Sequence, residues 1–310
     1  MGRVCSTLYV TVSSAESAAA APADQDGARR LLLVHAHPDD EVTGTGATIA
    51  HYAATGVPVT LVTCTRGEWG EVVAEDLARL RDAPPEELGR YREGELAAAL
   101  PVVGVQRHVW LGGAGRWWDS GMIGTPQNED PRAFARADPA DTTRAMVQVL
   151  RRERPTVVIT YDPNGGYGHP DHIQAHRVTM AALDPAADPG YASELGEPWW
   201  VPKVYWQVIQ RSRVQRMVET AGFEIADVMP GVPDEVITAE IDGRAYLGAK
   251  VAALRVYRSQ VNLDDGFFAQ VVRAPEFAVE HFQLVRGERG PAGPAAQGWE
   301  SDLFAGLPDA

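Results

Sequence analysis

The chain has 310 residues, an apolar fraction of 45% and a formal charge of −14. That length suits one sizeable α/β domain, and the acidic balance argues against nucleic acid or anionic membrane as partners, since no basic run offsets it. The two cysteines, Cys5 and Cys64, imply neither a disulfide framework nor a thiolate metal site, which fits a reducing cytoplasm.

Residues 1–29 carry a short apolar stretch diluted by Ser and Thr, so they read as a disordered extension rather than a secretory signal. No later run is apolar and long enough to span a bilayer, and a soluble protein is expected. From Leu31, β-branched runs alternate with helical patterns, the signature of a parallel sheet covered by helices. LLLVHA (31–36) is a buried strand, ATIAHYAATG (47–56) a helix closed by Gly56, and VPVTLVTCT (57–65) the next strand. Pro84 and Pro85 open a helix through residue 100, RHVWLG (107–112) is a third strand, and Asp138-Pro139 starts a helix ending at Arg151, Arg152 and Arg154. There the three arginines would complement the helix dipole. TVVITYD (156–162) supplies a fourth strand.

Beyond Asp184 the pattern loosens, with a strand in KVYWQVI and a helix in RAYLGAKVAALRVYRSQ. The expected fold is therefore α/β, a Rossmann-like and mostly parallel sheet with helices on both faces over residues 30–185. A smaller C-terminal α/β lobe, 186–310, would pack on it. GERGPAGPAAQG (287–298) reads as a loop, and the WESDLFAGL end is ordered only if Trp299 and Phe304 find a groove.

Two polar clusters carry the chemistry. His37-Pro38-Asp39-Asp40-Glu41 directly follows the first strand, where a Gly-rich dinucleotide loop would otherwise lie. An imidazole and three carboxylates there repel phosphate and attract a cation. The second cluster, from Tyr161 to His172, follows the fourth strand and emerges on the same rim. Ligands of N and O type drawn from His37, Asp40 and His172 would leave an open position for water, as in hydrolytic zinc sites. Taken singly, Asp39 or Asp40 could be no more than a cap for a helix beginning near Thr45, and Asp171 a cap for the helix after Pro170. His176, four residues from His172, reads as a supporting or surface group, while His51 and His108 read as structural. Two histidines and a carboxylate also describe a non-haem Fe(II) oxygenase, whose chemistry has no use for the additional Asp39.

The HAHPDDE opening and the later HPDH resemble the zinc-dependent N-acetylglucosaminyl deacetylases of the LmbE and PIG-L type. Further likeness lies in TCTRGEWGEV (63–72), YREGELAAAL (91–100), LGGAGRWWDSGM (111–122) and WESDLFAGL (299–307). The resemblance implies His37, Asp40 and His172 as ligands of Zn2+, with Fe2+ as the alternative metal, and Asp39 as general base. It implies that His169 assists the leaving amine or the oxyanion, that Tyr167 polarises the acetyl carbonyl, and that Asp171 orients a histidine. Arg92, Asp119 and Glu71 are implied as groups gripping a small amino-sugar inositol substrate. The implied reaction is hydrolysis of the acetamide of N-acetylglucosaminyl-inositol in mycothiol biosynthesis. The alternatives are an amidase of the same superfamily acting on mycothiol S-conjugates, or a deacetylase of another N-acetylglucosaminyl compound.

Overall fold

The computed structural model describes residues 28–221, 229–293 and 297–308, so the extension expected at 1–29 lies almost wholly outside the described residues. In chain order the elements are β1 (Leu31–His35), α1 (Asp40–Ala54), β2 (Val59–Thr63), α2 (Pro85–Val103), β3 (Arg107–Trp110), α3 (Pro139–Glu153) and β4 (Val157–Tyr161). There follow α4 (Gly165–Gly168), α5 (Pro170–Ala187), β5 (Lys203–Val208), α6 (Arg211–Ala221), β6 (Ala239–Asp242), α7 (Leu247–Leu254), α8 (Gly266–Val271) and β7 (Val279–Arg286).

Among the described residues these strands form one sheet of order β3-β2-β1-β4-β5-β7-β6. It is parallel from β3 to β5, with Leu31 paired to both Val59 and Val157, and antiparallel from β5 through β7 to β6. Every residue of β1, β2 and β4 is buried, as expected of strands covered on both faces. Alternate β1 side chains serve two cores. Leu31 and Leu33 pack with Ile49 and Tyr52 of α1, Leu96 and Leu100 of α2 and Leu254 of α7. Leu32 and Val34 pack with Met146 and Leu150 of α3 and Val178 and Ala182 of α5.

Four expectations need correction. The first helix starts at Asp40, not near Thr45. Asp40 and Glu41 lie in its first turn, where carboxylates suit the dipole. Its glycines are packing contacts: a Cβ on Gly44 would lie 2.5 Å from Gln207 Oε1, and one on Gly46 would lie 3.2 Å from Lys250 Cγ. Secondly, the strands of residues 186–310 stand in the first sheet rather than beside it, since β5, β7 and β6 extend it, in line with one domain completed by this part. Thirdly, the helix expected through Gln260 ends at Leu254. The turn beyond it is fixed by side chains, with Ser259 N and Oγ donating to Glu95 at 2.8 and 2.6 Å.

Lastly, Arg151 is no solvated dipole partner. Asp138 does cap α3, accepting from Ala140 N and Asp141 N. At the other end, buried Arg151 donates to the carbonyls of Pro185, Ala186 and Asp188, and to those of Ala192 and Gly196. One guanidinium thus satisfies carbonyls left over where α5 ends.

The C-terminal segment is held in place. Trp299 packs with Val208 and Ile237, and Phe304 enters the main core. Buried Glu300 accepts from Lys203 Nζ at 2.7 Å and from Tyr205 Oη at 2.9 Å, so the ion pair is closed by further hydrogen bonds.

Candidate active site

The strand order places β1 between β2 and β4, so the chain reverses its direction of progress across the sheet there. The loops after β1 and β4 leave side by side, in the crevice where open α/β sheets hold ligands. His37, from the first loop, meets His169 and His172, from the second, with ring centroids 4.7 and 5.4 Å away. All three rings are buried.

The hydrogen bonds of these rings fix where their lone pairs point. His172 Nδ1 lies 3.2 Å from the carbonyl of Gly165, which can only accept, so Nδ1 carries the proton and Nε2 is bare. Gly165 is required at that point: its φ is 63°, and a Cβ would lie 2.6 Å from His172 Cβ. His37 Nε2 is engaged by Asp171 Oδ2 at 3.1 Å, which turns Nδ1 the other way. His37 Nδ1 and His172 Nε2 face one oxygen, Asp40 Oδ2, at 3.2 and 3.3 Å. That oxygen already accepts from His37 N and Tyr161 Oη, both at 2.9 Å. His172 Nε2 is buried and has no hydrogen-bond partner among the described residues.

Two imidazole nitrogens turned on one carboxylate oxygen need a proton or a metal ion between them and it. Bonds of about 2.0–2.2 Å to zinc put the ligand atoms of a tetrahedral site roughly 3.3–3.6 Å apart, close to the two spacings to Asp40 Oδ2. The electrostatics agree. Burial disfavours charge on His37, yet Asp119, Asp171 and Asp40 outweigh it and raise its pKa well above the ordinary imidazole value. The crevice is thus an anionic cage that favours positive charge. Two groups without Asp40, His37-His169-His172 and His37-Asp119-His169-Asp171, hold their ligand atoms within 4.8 Å of one another. In both, His169 Nδ1 is occupied by Asp171 N at 3.1 Å, so the set through Asp40 is the better donor set.

Neither loop is a simple helix cap. Asp39 occupies the capping position of α1 but makes no capping bond, and its φ of 107° is one that non-glycine residues rarely adopt. Such strain costs about 1–3 kcal/mol and needs support. Arg92 supplies it, donating to Pro38 O at 2.7 Å and Asp39 Oδ2 at 3.1 Å, while Asp39 N donates to Glu41 Oε2 at 3.1 Å. Burial, opposed by Arg92 and reinforced by Asp40, pushes the Asp39 carboxyl up to about 7. Burial likewise raises Glu41 to about 8, with Tyr257 Oη on its other oxygen. At α5 the capping residue is His169, not Asp171. Burial and the neighbouring His37 and His172 lower His169 to about 3, so it is neutral, and its occupied Nδ1 leaves Nε2–H to donate.

Tyr167 packs edge-on to His172 at 4.9 Å, and burial raises its phenol so that it stays protonated. Asp119 belongs to the cluster itself, 3.7 Å from His37 Nε2 and accepting from Gly121 N at 2.8 Å. Arg92 lies behind Asp39 rather than in the open crevice, with its other terminal nitrogen on Gly67 O at 2.7 Å. Glu71 is exposed and apart from the histidines, lining a cavity of about 560 Å3 with Glu68, Trp69 and Leu88. His176 Nδ1 bonds Tyr161 O at 2.9 Å, His108 Nε2 bonds Thr63 Oγ1 at 3.0 Å, and the ring of His51 lies edge-on to Tyr52. Tyr161, Ser120 and Glu68 also touch the site and were not singled out in the sequence. Tyr161 sits on Asp40, Ser120 on Asp171, and Glu68 accepts from Asp119 N at 3.0 Å. Only Tyr161 carried a signal, as the last residue of a buried strand.

Residues 32–183 match the sequence profile of the family described as PIG-L, GlcNAc-PI de-N-acetylase. The chain is 61% identical over 277 residues to 1D-myo-inositol 2-acetamido-2-deoxy-alpha-D-glucopyranoside deacetylase 2 of Saccharopolyspora erythraea, covering 89% of this chain and 100% of that one. It is 50% identical to a deacetylase of the same description from Geodermatophilus obscurus, covering 90% and 98%. Among solved structures, the N,N'-diacetylchitobiose deacetylase of Pyrococcus horikoshii superposes with a TM-score of 0.60 at 20% identity, over 84% of this chain and 85% of that one. A 4-carboxy-2-hydroxymuconate hydratase of Pseudomonas putida superposes at 0.55 with 23% identity, over 84% and 97%. A hydratase and a deacetylase on one architecture show that these superpositions speak for fold alone.

Proposed function

From the premise that the chain belongs to the PIG-L family of de-N-acetylases, we propose that it hydrolyses the acetamide of N-acetylglucosaminyl-inositol to glucosaminyl-inositol and acetate, in mycothiol biosynthesis. The observation that carries this reading is the convergence of His37 Nδ1 and His172 Nε2 on Asp40 Oδ2, with the Asp39 carboxyl beside them.

His37, Asp40 and His172 would hold a divalent ion, Zn2+ or alternatively Fe2+, which when bound supplies Lewis acidity and a nucleophilic water at neutral pH. The chain's own groups do the rest. Asp39, buried and poised near neutrality, takes the proton of the attacking water. The carbonyl oxygen, as it gains charge, accepts from His169 Nε2–H and the Tyr167 hydroxyl, each such donor being worth about 3 to 4 kcal/mol. His169 is too weakly basic to arrive as an imidazolium, so it serves as this donor. The protonated Asp39 then returns its proton to the departing nitrogen, and the C–N bond breaks. Asp171 keeps the His37 ring turned with Nδ1 toward Asp40.

For the substrate, Asp119 is the carboxylate that accepts sugar hydroxyls, and the cavity beside Glu71 is of a size to admit the inositol end. Arg92 contributes through the posture of Asp39. The reading includes a cytoplasmic location; Cys64 is a free, buried thiol, and no helix among the described residues is long and apolar enough to cross a membrane.

The related reading is an amidase of mycothiol S-conjugates, which would share every group named above. Acetate release from N-acetylglucosaminyl-inositol and from N-acetylglucosamine, measured alongside cleavage of a mycothiol S-conjugate, separates them. The expected result is the highest kcat/KM on the glucosaminyl-inositol. Faster cleavage of the conjugate would move the protein to the amidase reading.

A further inference from the structure

We infer that Ser120 is a positioning residue of the metal centre: it fixes the orientation of the Asp171 carboxylate, which in turn holds the His37 ring with Nδ1 toward Asp40. This rests on the metal-dependent reading above and extends it to a residue outside both histidine loops.

Ser120 lies in the loop between β3 and α3 and is wholly buried, as is Asp171. Its backbone N–H donates to Asp171 Oδ2 at 2.8 Å, and its hydroxyl donates to Asp171 Oδ1. The hydroxyl has one proton to give, and its own oxygen receives Ala135 N–H at 2.9 Å, so that proton is directed at the carboxylate. Asp171 Oδ2 also meets His37 Nε2 at 3.1 Å. Both oxygens of Asp171 are then filled by donors, so the carboxylate has one orientation.

The carboxylate so held meets the Nε2 edge of the His37 ring and turns Nδ1 the other way. That is the nitrogen facing Asp40 Oδ2. The chain of bonds runs from a backbone amide through Ser120 and Asp171 to the imidazole. Without the hydroxyl, buried Asp171 Oδ1 loses its donor. The carboxylate is then free to turn about its Cβ–Cγ bond, and the His37 ring loses the fixed partner that aims Nδ1 at the ion.

The test is zinc affinity of the full-length protein, measured by competition with a chromophoric chelator, for the wild type, Ser120→Ala, Ser120→Thr and His172→Ala. Partners of ligating histidines typically contribute about 10–100-fold to metal affinity. Ser120→Ala is expected to bind zinc about 10–100-fold more weakly with its circular dichroism unchanged, and Ser120→Thr, which keeps the hydroxyl, to stay near the wild type. A role in packing alone would lower the melting temperature and leave the zinc Kd where it was. Wild-type affinity in Ser120→Ala, together with lost affinity in His172→Ala, would overturn this inference and spare the metal site. A wild type that takes up no zinc would remove both.

Discussion

Asp39→Asn is expected to lower kcat by about 10²–10⁴-fold, the usual contribution of a general base, while zinc content stays at the wild-type level. The amide keeps the shape of the side chain and can still accept from Arg92, but it cannot take a proton from water. The same group sets the pH dependence. Burial raises the Asp39 carboxyl to about 7, and only its deprotonated form acts as base, so wild-type kcat/KM should fall as pH drops through that value. A cation in the crevice favours the carboxylate and moves this acid limb to lower pH, never to higher. In Asp39→Asn the limb should disappear. A variant that kept its zinc and near-full turnover would end the assignment of Asp39 as the base.

His172→Ala should cost the metal. Zinc sites of four ligands bind with apparent free energies of about 10–16 kcal/mol, so losing one of three protein ligands costs on the order of 3 kcal/mol, or roughly 10²-fold in Kd. Because His172 Nε2 has no hydrogen-bond partner among the described residues, nothing there offsets that loss. His176→Ala is the matched control. Its imidazole bonds Tyr161 O and packs edge-on to Trp206, away from Asp40, and zinc affinity should be unchanged. Equal losses in both variants would mean that α5 had been damaged rather than a ligand removed.

The parallel half of the sheet could be read in the sequence because β1, β2 and β4 are buried on both faces and therefore stand out as unbroken apolar runs. The polar loops after β1 and β4 were legible for a related reason: charge directly after such a run has few purposes. The start of α1 was hidden by Thr43, Gly44, Thr45 and Gly46, which weaken a helical pattern locally and are tolerated because Gln207 and Lys250 fill the space a side chain would take. β6 and β7 are mixed in polarity, AEID and VEHFQLVR, since they form the antiparallel edge of the sheet; neither stands out as a run.

Arginines were the hardest residues to place. Arg151 at a helix end looks the same in sequence whether it meets water or, as here, the carbonyls around the end of another helix. Arg92 reads as a grip for a hydroxylated substrate, and its position behind Asp39 depends on the distance between α2 and the first loop, which only the folded chain sets. The roles of Ser120 and Tyr161 were hidden for a similar reason. Their importance lies in the partners they meet, Asp171 and Asp40, far away in sequence. The way the His172 and His37 rings are turned toward Asp40 depends likewise on Gly165 O and Asp171, partners the sequence does not reveal.

The central claim is that His37, Asp40 and His172 hold the ion on which hydrolysis of the acetamide depends. Its most direct test is acetate release from N-acetylglucosaminyl-inositol by the full chain before chelation, after chelation, and after one equivalent of Zn2+ is returned. The expected outcome is loss of release on chelation and recovery at one zinc per chain. Unchanged release from the fully stripped protein would contradict it.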